Sequence, residues 1–254
     1  MGLKRKLHIY NRRGERAPAD FNFSVSKSGR VPVKIFKDQR KPALLHAEKS
    51  CWPHPKGHIS FFADGSCKDH PFSTISKKHK RFVTAVCVTW RPVPNDCNKW
   101  DKCIVKTFWI DDSNAAEAYA AFAAVQTAID ESAWDPEVHT IIIYTDSQNL
   151  LELLEEFDRT EDGEWVVLHK QPWIDLIEMW RLVDALDVLV HKCGKKVEMH
   201  WVPSHVYGES FGHWLADKNA KKAVDEEITR MRKAGPGHTY AASTPVDWHL
   251  HYHE

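Results

Sequence analysis

Four carboxylates stand at places in the chain where an acid has work to do besides meeting solvent. Asp64 follows the apolar run Phe61-Phe62-Ala63 and precedes Gly65 and Ser66. An acid inside an apolar strand costs desolvation energy, and a glycine next to it lets another backbone come close. Glu117 closes the string Ser113-Asn114-Ala115-Ala116-Glu117, and Asp146 sits in Thr145-Asp146-Ser147-Gln148 directly after an apolar, β-branched run. Asp217 ends His213-Trp214-Leu215-Ala216-Asp217. Strand ends and helix starts are where α/β sheets place their sites. Gathered at one point, four carboxylates without a thiolate would form the hard oxygen donor set that Mg²⁺ prefers. Each acid also has an ordinary structural explanation. Asp64 could end its strand in a turn, Glu117 could complete a capping box begun by Asn114, Asp146 could cap the next helix, and Asp217 could face water. Taken singly, the residues leave both explanations open.

The elements that would have to position these acids are legible from periodicity. Residues 58–64, 81–90 and 102–110 are rich in Val, Ile, Phe, Thr and Trp and are separated by polar loops, which predicts an antiparallel meander. Residues 114–129 place Ala118, Ala121, Phe122, Val125 and Ile129 at helical spacing, predicting an amphipathic helix. Residues 140–144 read as a strand buried on both faces, and 147–157 as a helix. Pro172 suits the first turn of a helix that runs on through Trp173, Ile177, Trp180, Val183, Leu186 and Val190. A last strand over 197–202 and a closing helix over 213–233 complete the order, the helix stopping before Gly235-Pro236-Gly237. The sum is an α/β fold, a mixed sheet covered by helices.

A chain of 254 residues with 43% hydrophobic and 28% charged content can bury one full-sized core. No run approaches the ~20 apolar residues of a membrane span, and Met1 to Tyr10 has charge without an apolar stretch behind it, so neither a membrane nor a secretory route is expected. The six cysteines show no C-x-x-C pairing, which argues against a zinc ribbon and for reduced structural thiols. The net charge of zero hides an asymmetry. Residues 1–56 hold fourteen Lys/Arg against Glu15, Asp20, Asp38 and Glu48. Residues 1–57 are therefore expected to form a basic extension with at most a short strand or two, 58–233 the folded domain and 234–254 a tail. The basic runs Lys4-Arg5-Lys6 and Arg12-Arg13 suggest an intracellular location, nucleus or cytoplasm, with the mitochondrion left open. His249, His251 and His253 alternate near the end and read as a solvated tail with some metal affinity.

Taken together, A-D-G-S at 63–66, S-N-A-A-E at 113–117, T-D-S-Q at 145–148, and W-V-P-S-H at 201–205 followed by H-W-L-A-D at 213–217 resemble the successive signatures of the type 1 ribonuclease H family. They occur in the family's chain order and cover 58 to about 228 of this chain. The resemblance implies a ribonuclease H-like fold with a five-stranded mixed sheet, three antiparallel strands plus two parallel, flanked by helices. It implies an endonuclease that hydrolyses the RNA strand of an RNA/DNA hybrid, working as a monomer and leaving 5′-phosphate and 3′-hydroxyl ends. Two Mg²⁺ ions, with Mn²⁺ as a substitute, would be held by Asp64, Glu117, Asp146 and Asp217. Such chemistry needs two ions about 4 Å apart, because negative charge develops on both the entering and the leaving oxygen. Asp64 would bridge them, Glu117 and Asp146 would help hold one, and Asp217 the other. By the same resemblance His205 is a loop histidine for proton transfer or product release, a task suited to a group that titrates near neutrality. Gly65, Ser66, Ser113, Asn114 and Gln148 match positions that touch the hybrid and its 2′-hydroxyls. Capping is the alternative for Ser113, Asn114 and Gln148, and a surface histidine without a role the alternative for His205.

The chain departs from the family in three places. Residues 67–80 make a long, basic, glycine-free hairpin, Ser113 stands where asparagine is common, and 159–196 is not a basic, tryptophan-bearing protrusion. Lys77, Lys78, Lys80 and Arg81, or the N-terminal arm, would then supply phosphate contacts. Two other functions fit the same fold: a nucleic-acid-binding protein without catalysis, and a nuclease for another nucleic-acid substrate. Clustered negative charge facing phosphates has no use in a pure binding module, which favours catalysis.

Overall fold

The structure is a computed structural model that describes residues 6–8, 30–51, 55–72, 82–91, 99–107, 112–133, 135–160, 164–168, 177–203, 210–235 and 251–253. In chain order the elements are β1 (Lys6–His8), β2 (Lys34–Phe36), α1 (Arg40–Lys49), β3 (His58–Asp69), β4 (Phe82–Trp90), β5 (Asp101–Thr107), α2 (Ser113–Ser132), β6 (Thr140–Thr145) and α3 (Gln148–Glu155). They continue with β7 (Phe157–Arg159), β8 (Trp165–Val167), α4 (Ile177–Asp187), a π-helical turn over Val188–Lys192, β9 (Lys196–Trp201), α5 (Phe211–Ala234) and β10 (His251–His253).

The main sheet has the order β2-β9-β6-β3-β4-β5. β3, β4 and β5 form the expected antiparallel meander, and β6 and β9 continue it in parallel with β3. The sheet has six strands where five are expected. The sixth is β2, which pairs in parallel with β9, Ile35 opposite Met199. The strand is only three residues long, one of them Lys34, too short to stand out by periodicity, and its partner lies far along the chain. Two small antiparallel ribbons, β1 with β10 and β7 with β8, stand apart from this sheet.

Alternation along the strands divides the core. Ile59, Phe61 and Ala63 of β3, Val86 and Val88 of β4, and Ile141 and Ile143 of β6 face one way, into a large cluster with α2 and α4. Phe62, Ile142, Tyr144 and Val202 face the other way, against Ala47 and Cys51 at α1. Further along that second face Val83 and Ala85 meet Ala223, Val224, Ile228 and Met231 of α5. Helix α2 departs from the one-sided amphipathic helix its sequence predicts. It is buried on nearly all sides because α4 covers the flank that would otherwise meet water. Its alanines make this possible by letting sheet and helices approach closely.

Helix starts settle two of the open explanations. Asp112, not Asn114, caps α2, its side chain accepting the Ala115 N–H at 2.8 Å. Ser147, not Asp146, caps α3, accepting from Leu150 N–H at 3.2 Å. Glu117 and Asp146 are thereby released from the capping jobs their positions suggested. Helix α5 ends at Ala234 with Gly235 at φ 83°, a left-handed stop that glycine adopts without strain.

Candidate active site

All four predicted carboxylates come to one place, the edge of the sheet beyond the C-terminal end of β6, Glu117 reaching it from α2 on the first face. The register of β3 and β6 pairs Phe62 with Tyr144, so two residues further Asp64 lies alongside Asp146, which leaves β6 just as the strand ends. Trp201 at the end of β9 donates its indole N–H to the Asp146 carbonyl at 3.1 Å, and Val202 N–H donates to Thr145 O at 2.9 Å. These bonds hold the turn that carries Asp146.

Two glycines let helices close over the strands. A Cβ on Gly65 would lie 2.9 Å from the Ala116 backbone, so α2 rests directly on β3 and brings Glu117 in beside Asp64. A Cβ on Gly212 would lie 2.4 Å from the Phe62 ring, so the first turn of α5 presses on the residue two before Asp64. That turn is pinned further by Thr89, whose hydroxyl donates to Gly212 O at 2.9 Å, and by Gly212 N–H donating to Cys51 Sγ at 3.3 Å. His213 and Asp217, four residues apart, share the inward face of α5 and are set over the acids.

The cluster is electrostatically costly. Asp64 is 4% exposed. Burial, with Asp146 and Asp217 nearby, pushes its carboxyl up to about 8, against the opposing influence of His213. The Asp217 carboxylate beside it adds to that upward push. Burial together with Asp146 and Asp64 also holds Glu117 well above the usual carboxylate range, although the Gly65 N–H donates to it. Glu117 Oε2 is buried without a hydrogen bond. Asp217 is steadied on its open side by Lys221 at 2.7 Å.

The donor set fits a divalent cation. Asp64, Asp146 and His213 each bring one donor atom within 4.8 Å of the others. Glu117 and Asp217 border this trio and add oxygen donors. His213 is the residue the sequence reading overlooks: fully buried, with Nε2 3.9 Å from Asp146 Oδ1. Its i, i+4 spacing to Asp217 was the available signal, but a histidine on a helix among sixteen in the chain is not distinctive.

The remaining candidates are distributed around this centre. Ser66 continues β3 and is buried, Ser113 and Gln148 are exposed first residues of α2 and α3, and Asn114 is half-buried. His205, Lys77, Lys78, Lys80, Arg81 and His249 lie outside the described residues. The five described cysteines are free thiols, four of them buried, as the reading of reduced structural thiols expects.

The sequence profile of the RNase H family matches residues 56–225, more than half of the chain. The chain belongs to the RNase H family. No curated protein sequence matches this RNase H chain. Among solved structures, it is similar to LC9-RNase H1, a type 1 RNase H with the type 2 active-site motif, at 14% identity and TM-score 0.40 over 68% of this chain and 74% of that one. It is similar to LC11-RNase H1, solved in complex with an RNA/DNA hybrid, at 12% identity and TM-score 0.41 over 67% and 99%. The PFV RNase H domain in solution aligns at 14% identity and TM-score 0.42 over 68% and 97%. Prototype Foamy Virus protease–reverse transcriptase aligns at 15% identity and TM-score 0.42 over 68% of this chain, which spans only 21% of that longer one. Among the described residues no helix is long and apolar enough to cross a membrane.

Proposed function

We propose that this RNase H family member is a metal-dependent endoribonuclease that hydrolyses the RNA strand of RNA/DNA hybrids, leaving 5′-phosphate and 3′-hydroxyl ends. The observation that carries this reading is the carboxylate cluster itself, in which Asp64 is buried, held up to about 8 by burial and its acidic neighbours, and within 4.8 Å of donor atoms of Asp146 and His213. A protein gains no stability from assembling such a group, and cation binding would relieve the repulsion.

Asp64, Glu117, Asp146 and Asp217 would hold the Mg²⁺ ions, Asp64 serving as the ligand common to both, Glu117 and Asp146 helping with one and Asp217 with the other. Bound there, the ions would supply positive charge to the entering water and to the leaving 3′-oxygen. The chain's own groups do the rest. Trp201 and Val202 hold the Asp146 turn rigid, and the glycine contacts at Gly65 and Gly212 keep α2 and α5 from shifting, so the carboxylates are positioned before substrate arrives. Exposed Ser113 and Gln148, with Asn114, Gly65 and Ser66, border the centre as donors and acceptors for the sugar edge and 2′-hydroxyl of the RNA strand. His205 serves as the proton carrier for the leaving group.

The test is incubation of the full chain with Mg²⁺ and matched RNA/DNA, RNA/RNA and DNA/DNA duplexes of one sequence. Cleavage confined to the RNA strand of the hybrid is expected. Equal cleavage of a DNA duplex would move the protein to a different nuclease substrate, and binding without cleavage of any duplex would make it a binding protein on a nuclease fold.

A further inference from the structure

The carboxylate centre contains one donor that a pure magnesium site does not use. His213 is fully buried, and its Nε2 points at Asp146 Oδ1 across 3.9 Å. That distance is too long for a hydrogen bond. It suits two ligands of one ion: donors bound at about 2.1 Å lie roughly 3 Å apart when adjacent and about 4.2 Å apart when opposite. One atom each of Asp64, Asp146 and His213 falls within 4.8 Å of the other two, so a shared ion requires only sub-ångström adjustment. The imidazole is also held firmly. Gly212 is locked against Phe62, its carbonyl accepts from Thr89 and its N–H donates to Cys51, so the backbone that carries His213 is fixed on three sides.

We propose that His213 is an inner-sphere nitrogen ligand of the ion held by Asp64 and Asp146. Imidazole is a good ligand for first-row transition ions and a poor one for Mg²⁺, so this nitrogen biases the centre toward Mn²⁺ and its neighbours in the series. The inference rests on the nuclease reading of the same site and specifies which metal that site selects. His213 thereby becomes a residue that determines metal preference, in addition to the four carboxylates.

Pulsed EPR of the full chain loaded with Mn²⁺ alone tests this. The expected result is nitrogen modulation that converts from the ¹⁴N to the ¹⁵N pattern when histidine is ¹⁵N-labelled, and that disappears in both His213→Gln and Asp146→Asn. Titration calorimetry should show Mn²⁺ binding at least tenfold tighter than Mg²⁺ in the wild type, a ratio that shrinks severalfold in His213→Gln. Nitrogen modulation that persists in His213→Gln belongs to another histidine and overturns the proposal. Should His213→Gln fail to fold, the wild-type spectrum still decides, because absence of histidine nitrogen coupling at saturating Mn²⁺ overturns the proposal by itself. If that coupling is absent while Mg²⁺-dependent hybrid cleavage is intact, only this inference falls. If the protein binds neither ion and cuts no hybrid, the nuclease reading falls with it.

Discussion

Two clusters of ionisable groups sit a few residues apart along β3 and β6, and they are built on opposite terms. Around Tyr144 polar groups meet partners. Its hydroxyl bonds Ser50 Oγ at 2.6 Å and His46 Nδ1 at 2.7 Å, and His200 Nε2 lies 3.3 Å from Glu198. The rings stack, Phe36 on His200 at 4.3 Å, His200 on His46 at 4.4 Å, and Tyr144 on Phe62 at 4.6 Å between centroids. Around Asp64 the reverse holds, with like charges crowded together and Glu117 Oε2 left without a bond. Satisfied polar groups in the first cluster fasten the N-terminal segment to the sheet. Unsatisfied ones in the second are a cost that only a ligand can offset.

The largest effect should come from breaking the second cluster at one atom. Asp146→Asn keeps the size of the side chain and removes the charge a hard cation requires, so hybrid cleavage should fall by on the order of a thousandfold or more. Because Ser147 rather than Asp146 caps α3, the unfolding midpoint should hardly move, and hybrid binding should persist or tighten. Near-normal cleavage by this variant, measured on a labelled RNA/DNA duplex, would sink the metal-site reading.

Removing the first cluster's lid should cost stability and, because Cys51 leaves with it, loosen the turn that carries His213. Deleting residues 1–56 removes β2 and α1 and uncovers Phe62, Tyr144 and Val202, for a loss of about 3 to 5 kcal/mol. Deleting only 1–29 should leave the denaturation midpoint unchanged. Equal stability of the two truncations would show that the ring cluster is not a fastening.

The two clusters should titrate in opposite directions in metal-free protein. Burial and His46 lower His200 from 6.5 to about 4. Its contribution is therefore present above about pH 6.5 and lost as pH falls toward 4, on the order of 3 kcal/mol, and His200→Phe should flatten that limb. Asp64 is raised from 3.8 to about 8, so its contribution is present below pH 3.8 and lost as pH rises through 8. Asp64→Asn should make the metal-free protein more stable than the wild type at pH 8. Added Mg²⁺ should raise the wild-type midpoint more at pH 8 than at pH 5, and thermal scans at the two values, with and without the ion, check both signs.

The smallest effect concerns the basic arm. Residues 1–29 carry seven Lys/Arg against Glu15 and Asp20, and their loss should make hybrid affinity less salt-sensitive, reducing the log–log slope by about 1 or more. An unchanged slope would show that the arm does not touch nucleic acid.

Local pattern alone determined much of this protein. Runs rich in β-branched and aromatic residues predicted β3, β4 and β5, period-3.6 runs predicted α2, α4 and α5, and the apolar run after Val138 predicted the buried strand β6, because these signals depend only on neighbours a few residues away. The acids Asp64, Glu117, Asp146 and Asp217 were likewise legible as candidates from the strings around them. What single positions could not decide was whether each acid was a cap or a member of a cluster. That depended on which residue the backbone chose as cap, Asp112 and Ser147, and on a strand register that sets Asp64 beside Asp146. The rest belonged to tertiary structure. Helix α1 buries only Ala43 and Ala47, too faint a stripe to mark as part of the fold, and Cys51 meets Gly212 across 161 residues. His213 shows the same limit most clearly: on its helix it is one polar residue among many, and only the packing of Gly212 onto Phe62 turns it inward among the carboxylates. Periodicity records which face of an element is buried, but the identity of what lies opposite is set by contacts between distant parts of the chain.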